Sequence, residues 1–189
     1  MISLIFFLAG TIITFTCGLT ALTNLSSLHT CLICLSAIIG EVIINGVIAI
    51  VVCKWLPDKY FSSKLKFYHP SKKECKFYQL IGIKNWKDKT AELGFLNGFR
   101  KNKLLQPNNP EYYQKFILES NKGFITHLLG MIIGAVSIFI LPPIYQIPIG
   151  LPIIITNFLI NFLALAILRY NIPRLEAAFK FSQRKKTIN

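Results

Sequence analysis

No Lys, Arg, Asp or Glu occurs between Phe124 and Leu168. An uncharged run of that length has few folded destinations. A helix rises about 1.5 Å per residue and needs about 20 apolar residues to cross roughly 30 Å of hydrocarbon. The run holds two such lengths, divided by Pro142, Pro143, Pro148 and Pro152. Two more precede it: Met1–Leu22 carries no charged residue, and Cys31–Cys53 carries one, Glu41. Hydrophobic residues make up 53% of the 189 positions, more than a soluble domain of this size carries. The expected fold is therefore all-α integral membrane, a single membrane domain over residues 1–189. Its four transmembrane helices are placed at about 2–22, 31–54, 123–141 and 149–168. The first span has no basic leader and a poor cleavage edge at Ala21–Thr23, so it is read as a retained helix.

The net charge of +13 suggests nucleic acid until the charges are located. Every Lys and Arg lies in Lys54–Lys122 or in Arg169–Lys186; the turns Thr23–Thr30 and Pro142–Pro148 have none. That is the positive-inside pattern. It predicts a multi-pass protein of the cell membrane with a cytoplasmic loop at 55–122, a cytoplasmic tail at 169–189 and both termini cytoplasmic. The lysines are then expected to meet anionic membrane lipid, with no nucleic-acid partner. Five cysteines, Cys17, Cys31, Cys34, Cys53 and Cys75, form no paired framework. His29, Cys31 and Cys34 offer three metal ligands at most with no matching second cluster, so no metal site is expected. The sequence leaves the oligomeric state open.

The loop is too apolar to be a bare linker. Pro57 should end the second span, with Tyr60 and Phe61 as interface anchors. Lys72–Lys89 reads as amphipathic helix around Gly82, with Phe77, Leu80 and Ile81 on one face and Trp86 among lysines. The stretch from Gly94 to Pro110 is turn-rich. Asn109 then suits an N-cap, Pro110 the first helical position and Glu111 the helix dipole. Tyr113, Phe116, Ile117 and Ser120 form one stripe of a helix of about 30 residues that runs into the third span. A last amphipathic helix is expected to begin near Pro173, with Leu175, Ala178 and Phe179 toward the bilayer.

Few polar side chains lie at depth. Counting about 1.5 Å per residue from the cytoplasmic face puts Glu41 roughly 18 Å deep, His127 about 7 Å, and Asn157 and Asn161 roughly 10 to 17 Å. Asn45 lies one turn from Glu41 on the same face. These five residues come from three helices and share the inner half of the bilayer. A charge at the centre costs at least about 2.5 kcal/mol, so such groups face one another or a wet cavity. The asparagines suit interhelical hydrogen bonding, and Gly130–Gly134 is a small-xxx-small packing motif. His127 has two readings: its ring snorkels to the interface, or it acts as general base on a lipid-borne hydroxyl. Glu119 and Lys122 form an i,i+3 pair, either structural or at the site. Arg169, Arg174 and the loop lysines suit the phosphates of a soluble donor such as coenzyme A. No Walker loop, dinucleotide fingerprint or serine nucleophile elbow is present.

Four stretches carry a family likeness: "LPDKYF" (56–61), "KFYQLIGIKNWKDK" (76–89), "EYYQKFILESNKGFITHLLG" (111–130) and "LRYNIPRL" (168–175). In order and spacing the chain resembles the glycosyl-4,4'-diaponeurosporenoate acyltransferases, integral membrane proteins of carotenoid pathways. The acidic, basic and histidine positions of one family block fall on Glu119, Lys122 and His127. The Arg and Asn of a second block fall on Arg169 and Asn171, and its Pro-Arg on Pro173 and Arg174. Phe124 stands where that first block has a second acid, Leu128 where an aromatic is usual, and Ile172 where a base is usual.

The resemblance implies transfer of a fatty acyl group to a hydroxyl of a hydrophobic glycosylated acceptor. The expected donor substrate is an acyl thioester such as acyl-CoA, with no cofactor. The candidate catalytic residues are His127, Glu119 and Glu41, with either carboxylate as partner of the histidine. Eight residues separate Glu119 from His127, about 12 Å along a helix, too far for direct contact. Lys122, Asn45, Asn157, Asn161, Arg169, Asn171 and Arg174 are candidate substrate-binding residues. A non-enzymatic lipid-binding or scaffold protein is the alternative. A transporter ranks last, since no inverted repeat is visible.

Overall fold

A computed structural model describes residues 2–90 and 109–188; the turn-rich stretch expected after Gly94 lies almost wholly outside these. The described residues are helical, with no strand. The long helices are α1 (Ile2–Ala21), α2 (Ser27–Ile50), α5 (Pro110–Val136) and α7 (Leu151–Ile188). A π turn, Val51–Trp55, extends α2, and a 3-10 turn, Ser137–Ile140, extends α5. Between α2 and α5 lie α3 (Lys72–Leu80) and α4 (Ile83–Trp86); the short α6 (Pro143–Tyr145) leads into α7. All four long helices are apolar and long enough to cross a membrane. Their outward faces fit that solvent: Ile12, Leu28, Ile43 and Phe139 are exposed.

The boundaries follow local chemistry. Ser26 caps α2, its hydroxyl accepting from the His29 N–H. Asn109 caps α5, its Oδ1 accepting from the Glu111 N–H at 3.0 Å, with Pro110 opening the helix. Gly82 separates α3 from α4 at φ +65°, a left-handed conformation that side chains other than glycine rarely adopt.

One expectation about helix boundaries is overturned. No new helix begins near Pro173; α7 runs through it as a single 38-residue helix. Proline removes one backbone bond and crowds the preceding turn, at about 3 kcal/mol. Packing on both sides of the break offsets this. Tyr170 is buried with Tyr78 and Ile83, and Ile172 and Leu175 are buried with Tyr113, Phe116 and Ile117 of α5. Ala178 and Phe179 pack against that second cluster. Leu175, Ala178 and Phe179 thus meet α5 rather than the bilayer. The expected α5 stripe, Tyr113, Phe116, Ile117 and Ser120, is buried.

α5 and α7 form the central seam. α2 and α1 flank it, α1 through its small buried residues Gly10, Thr14 and Gly18. The segment after α2 folds back onto the seam. Phe61 is 1% exposed in a cluster with Ile48, Val52, Tyr68, Phe124 and Leu165, and its carbonyl accepts from Asn121 Nδ2 at 2.9 Å. The Tyr68 hydroxyl donates to the Tyr60 carbonyl at 2.7 Å.

Candidate active site

Three long helices bring their deep polar side chains to one place. On α2, Asn45 Nδ2 donates to the Glu41 carbonyl (2.9 Å) and to Glu41 Oε1 (3.2 Å). It also reaches across to Asn157 Oδ1 on α7 at 3.0 Å. Asn157 Nδ2 donates to the Gly130 carbonyl of α5 at 2.9 Å. Asn161, one turn further along α7, donates from Nδ2 to Asn157 Oδ1 (2.7 Å), the Asn157 carbonyl (3.1 Å) and Asn45 Oδ1 (3.2 Å). Its Oδ1 meets His127 Nδ1 at 2.9 Å. Glu41 Oε2 lies 2.8 Å from the Ser137 hydroxyl. Glu41, Asn157 and Asn161 are buried, and His127 is half-buried. The five deep residues expected to converge therefore do, joined by Ser137.

The glycines of the small-xxx-small motif make room for this cluster. A Cβ at Gly130 would lie 2.6 Å from Asn45 Oδ1 and 3.0 Å from Asn161 Oδ1. At Gly134 it would collide with Asn157 Nδ2 and Glu41 Oε1. The motif lets asparagines, rather than helix backbones alone, approach α5.

A second polar group sits at the start of the apolar part of α5. Lys122 is 7% exposed; its Nζ lies 2.7 Å from Asp58 and 3.6 Å from Glu119. Beside it, Arg169 clamps Glu74 with Nε and Nη2, both at 2.7 Å, and donates from Nη1 to the Phe67 carbonyl at 2.9 Å. Its guanidinium lies 4.6 Å from the centre of the Phe124 ring. The aromatic residue thus stacks on this cation, while Glu74 of α3 provides the carboxylate.

Tyr78 donates to Glu74 Oε1 at 2.8 Å. Burial pushes the Glu74 carboxyl up, but its bonds to Arg169 and Tyr78 and the Arg169 charge outweigh that and hold it below the ordinary carboxylate range. Burial, and then the Glu74 carboxylate, push the Tyr78 phenol well up. Arg174 stacks 3.8 Å from the Tyr170 ring centre and donates to the Tyr170 carbonyl. Asn171 is half-buried.

The predicted site residues thus fall into two groups. Glu41, Asn45, His127, Asn157 and Asn161 form the deep cluster; Glu119, Lys122 and Arg169 form the shallower ion-pair layer. Arg174 and Asn171 lie further along α7. At His127 Nδ1 stands the amide oxygen of Asn161, and Glu41 connects to the histidine through the amides of Asn45 and Asn161. Asp58, Glu74 and Ser137 are additions. Asp58 and Glu74 are acids isolated among lysines, a pattern that marks a buried cation partner only once the fold is known.

A family model for glycosyl-4,4'-diaponeurosporenoate acyltransferase matches residues 57–180. The chain belongs to this family. No curated protein and no solved structure matches it significantly. The acyltransferase match spans the ion-pair layer, α5 and α7 as far as Lys180, so His127, Asn157, Asn161, Glu74 and Arg169 all lie within it. α1 and α2, with Glu41 and Asn45, precede it. The deep cluster is therefore assembled from family-matched helices and from one outside the match.

Proposed function

We propose that this chain is a membrane O-acyltransferase. It moves a fatty acyl group from a thioester such as acyl-CoA to a hydroxyl of a glycosylated carotenoid or related glycolipid. The observation that carries this is the family match across α5 and α7, on which His127 sits in a buried three-helix polar cluster. His127 takes the proton of the acceptor hydroxyl. The oxygen attacks the thioester carbonyl carbon, the C–S bond breaks, and the imidazolium returns the proton to the departing sulfur. The products are an ester and a free thiol. The charge asymmetry supports reaction at the cytoplasmic interface, where the basic loop and tail would meet a soluble donor. Exposed Arg174 suits its phosphates. Glu119 and Lys122 lie on α5 ahead of His127, with Asp58 against Lys122, and suit binding of the sugar.

The test uses cells that make glycosyl-4,4'-diaponeurosporenoate and either lack the gene, carry it, or carry His127→Ala at equal protein level by immunoblot. Lipid extracts are compared by mass spectrometry. The expected outcome is an acyl ester present only with the unaltered gene. An ester that persists with His127→Ala removes His127 from catalysis. Identical extracts from all three would favour a non-enzymatic lipid-binding or scaffold protein.

A further inference from the structure

The geometry points to Asn161 as the residue that fixes the tautomer of His127, so that the proton sits on Nδ1 and the basic lone pair on Nε2. This rests on the reading of His127 as general base and adds a positioning residue to it. The argument is a matter of which way each amide must face. A carboxamide presents an acceptor at one end and donors at the other.

Every neighbour of Asn161 Nδ2 is an oxygen: Asn157 Oδ1, the Asn157 carbonyl and Asn45 Oδ1. Turning the amide over would set its oxygen against all three. One of them, the Asn157 carbonyl, belongs to the backbone of α7 and cannot turn with it. The other two are themselves fixed by backbone. Asn157 Nδ2 is held by the Gly130 carbonyl of α5, which aims Asn157 Oδ1 back at Asn161 and Asn45. Asn45 Nδ2 is held by the Glu41 carbonyl, which aims Asn45 Oδ1 at Asn161. Three amides are thus each anchored by a peptide carbonyl, and together they leave Asn161 Oδ1 facing His127. That oxygen accepts only, so the ring nitrogen 2.9 Å away, Nδ1, must carry a hydrogen. A neutral imidazole has one N–H, which leaves the lone pair on Nε2. Gly130 is part of the device, since a Cβ there would press on both Asn45 Oδ1 and Asn161 Oδ1.

The experiment uses the full chain in lipid nanodiscs with 15N-labelled histidine. Nitrogen chemical shifts separate the two tautomers, and the His127 signals are those lost in His127→Gln. The unaltered chain is expected to show the proton on Nδ1. Asn161→Leu removes the acceptor and is expected to release the ring into a mixture. Acyl transfer from acyl-CoA to glycosyl-4,4'-diaponeurosporenoate should then fall on the order of 10²-fold in kcat, with KM held. Asn161→Asp, which keeps an oxygen opposite Nδ1, should retain the Nδ1–H signature. A proton found on Nε2 in the unaltered chain overturns the inference, whatever the Asn161 variants do. An unchanged tautomer in Asn161→Leu overturns it as well. Full activity in His127→Ala would sink the base assignment instead, leaving the spectrum of the unaltered chain as it was.

Discussion

At Gly134 a single hydrogen in place of a methyl group decides whether α2, α5 and α7 can meet. Gly134→Ala places a carbon on Asn157 and Glu41, both buried on neighbouring helices. Overpacking of this kind costs about 1–3 kcal/mol, and more where polar partners are forced apart. The thermal midpoint in detergent should fall by several degrees. Gly46→Ala is the matched control, because nothing lies within 4 Å of a Cβ there. Its midpoint should hold or rise, as alanine favours helix over glycine. Equal loss in both variants would mean that the α2–α5–α7 contact is looser than described.

Arg169 carries a second prediction at this scale. Lysine keeps the charge but cannot form the paired bonds to Glu74 or stack flat on Phe124. Arg169→Lys should therefore lose stability despite its conserved charge, and restoring a stacked planar cation is not open to it.

Elements translate these contacts into motion. α3 is short, nine residues, and would not hold its shape alone in water. It is held by the Glu74–Arg169 clamp and by Tyr78, which is buried against Ala166 and Ile167 of α7. In Arg169→Lys, trypsin should cut after Lys72, Lys73 or Lys76 markedly faster, while cleavage after Lys54, in the turn that ends α2, proceeds at the unaltered rate. Acid should mimic the variant. The Glu74 carboxyl is held below its ordinary range, so its contribution is complete above that range and disappears as pH falls through the lowered value. Cleavage under an acid protease should stay slow down to the ordinary carboxylate range and quicken only below it. Quickening already near neutrality would show that the clamp does not govern α3.

What the sequence disclosed at this scale follows from range. The start of α5 is written in three adjacent residues, Asn109, Pro110 and Glu111, and local rules read it correctly. The passage of α7 through Pro173 depends on Tyr78 and Tyr113, which lie far away in the chain, so local rules stopped the helix there. The Glu74–Arg169 pair spans 95 residues and had no local trace. The deep polar cluster was legible because charges and amides are rare in membrane spans and depth can be counted from a helix end. The direction of each amide was not, since it depends on carbonyls of neighbouring helices.

For the whole molecule, the asymmetric charge makes a topological prediction. With both termini cytoplasmic, the α1–α2 turn faces outward and the long loop inward. In a cysteine-free background, Thr23→Cys should react with a membrane-impermeant maleimide on intact cells. Cys75, retained alone in the same background, should react only after permeabilisation. The reverse pattern would invert the protein and remove the proposed access of a soluble donor.

α7 has one more consequence. At 38 residues it is about 57 Å long, nearly twice the roughly 30 Å of hydrocarbon. α5 runs beside it through their shared clusters. The pair therefore stands proud of the bilayer as a stiff double post with the α3 clamp fastened to its side. Such a post works as a gauge. His127 keeps a set distance from the clamp, while its height relative to the lipid surface would vary with membrane thickness. Thicker bilayers would draw the histidine away from the water boundary and thinner ones would bring it closer. On the role proposed for His127, lipid chain length would then be a dial on its chemistry, one that needs no ligand and no change in the protein.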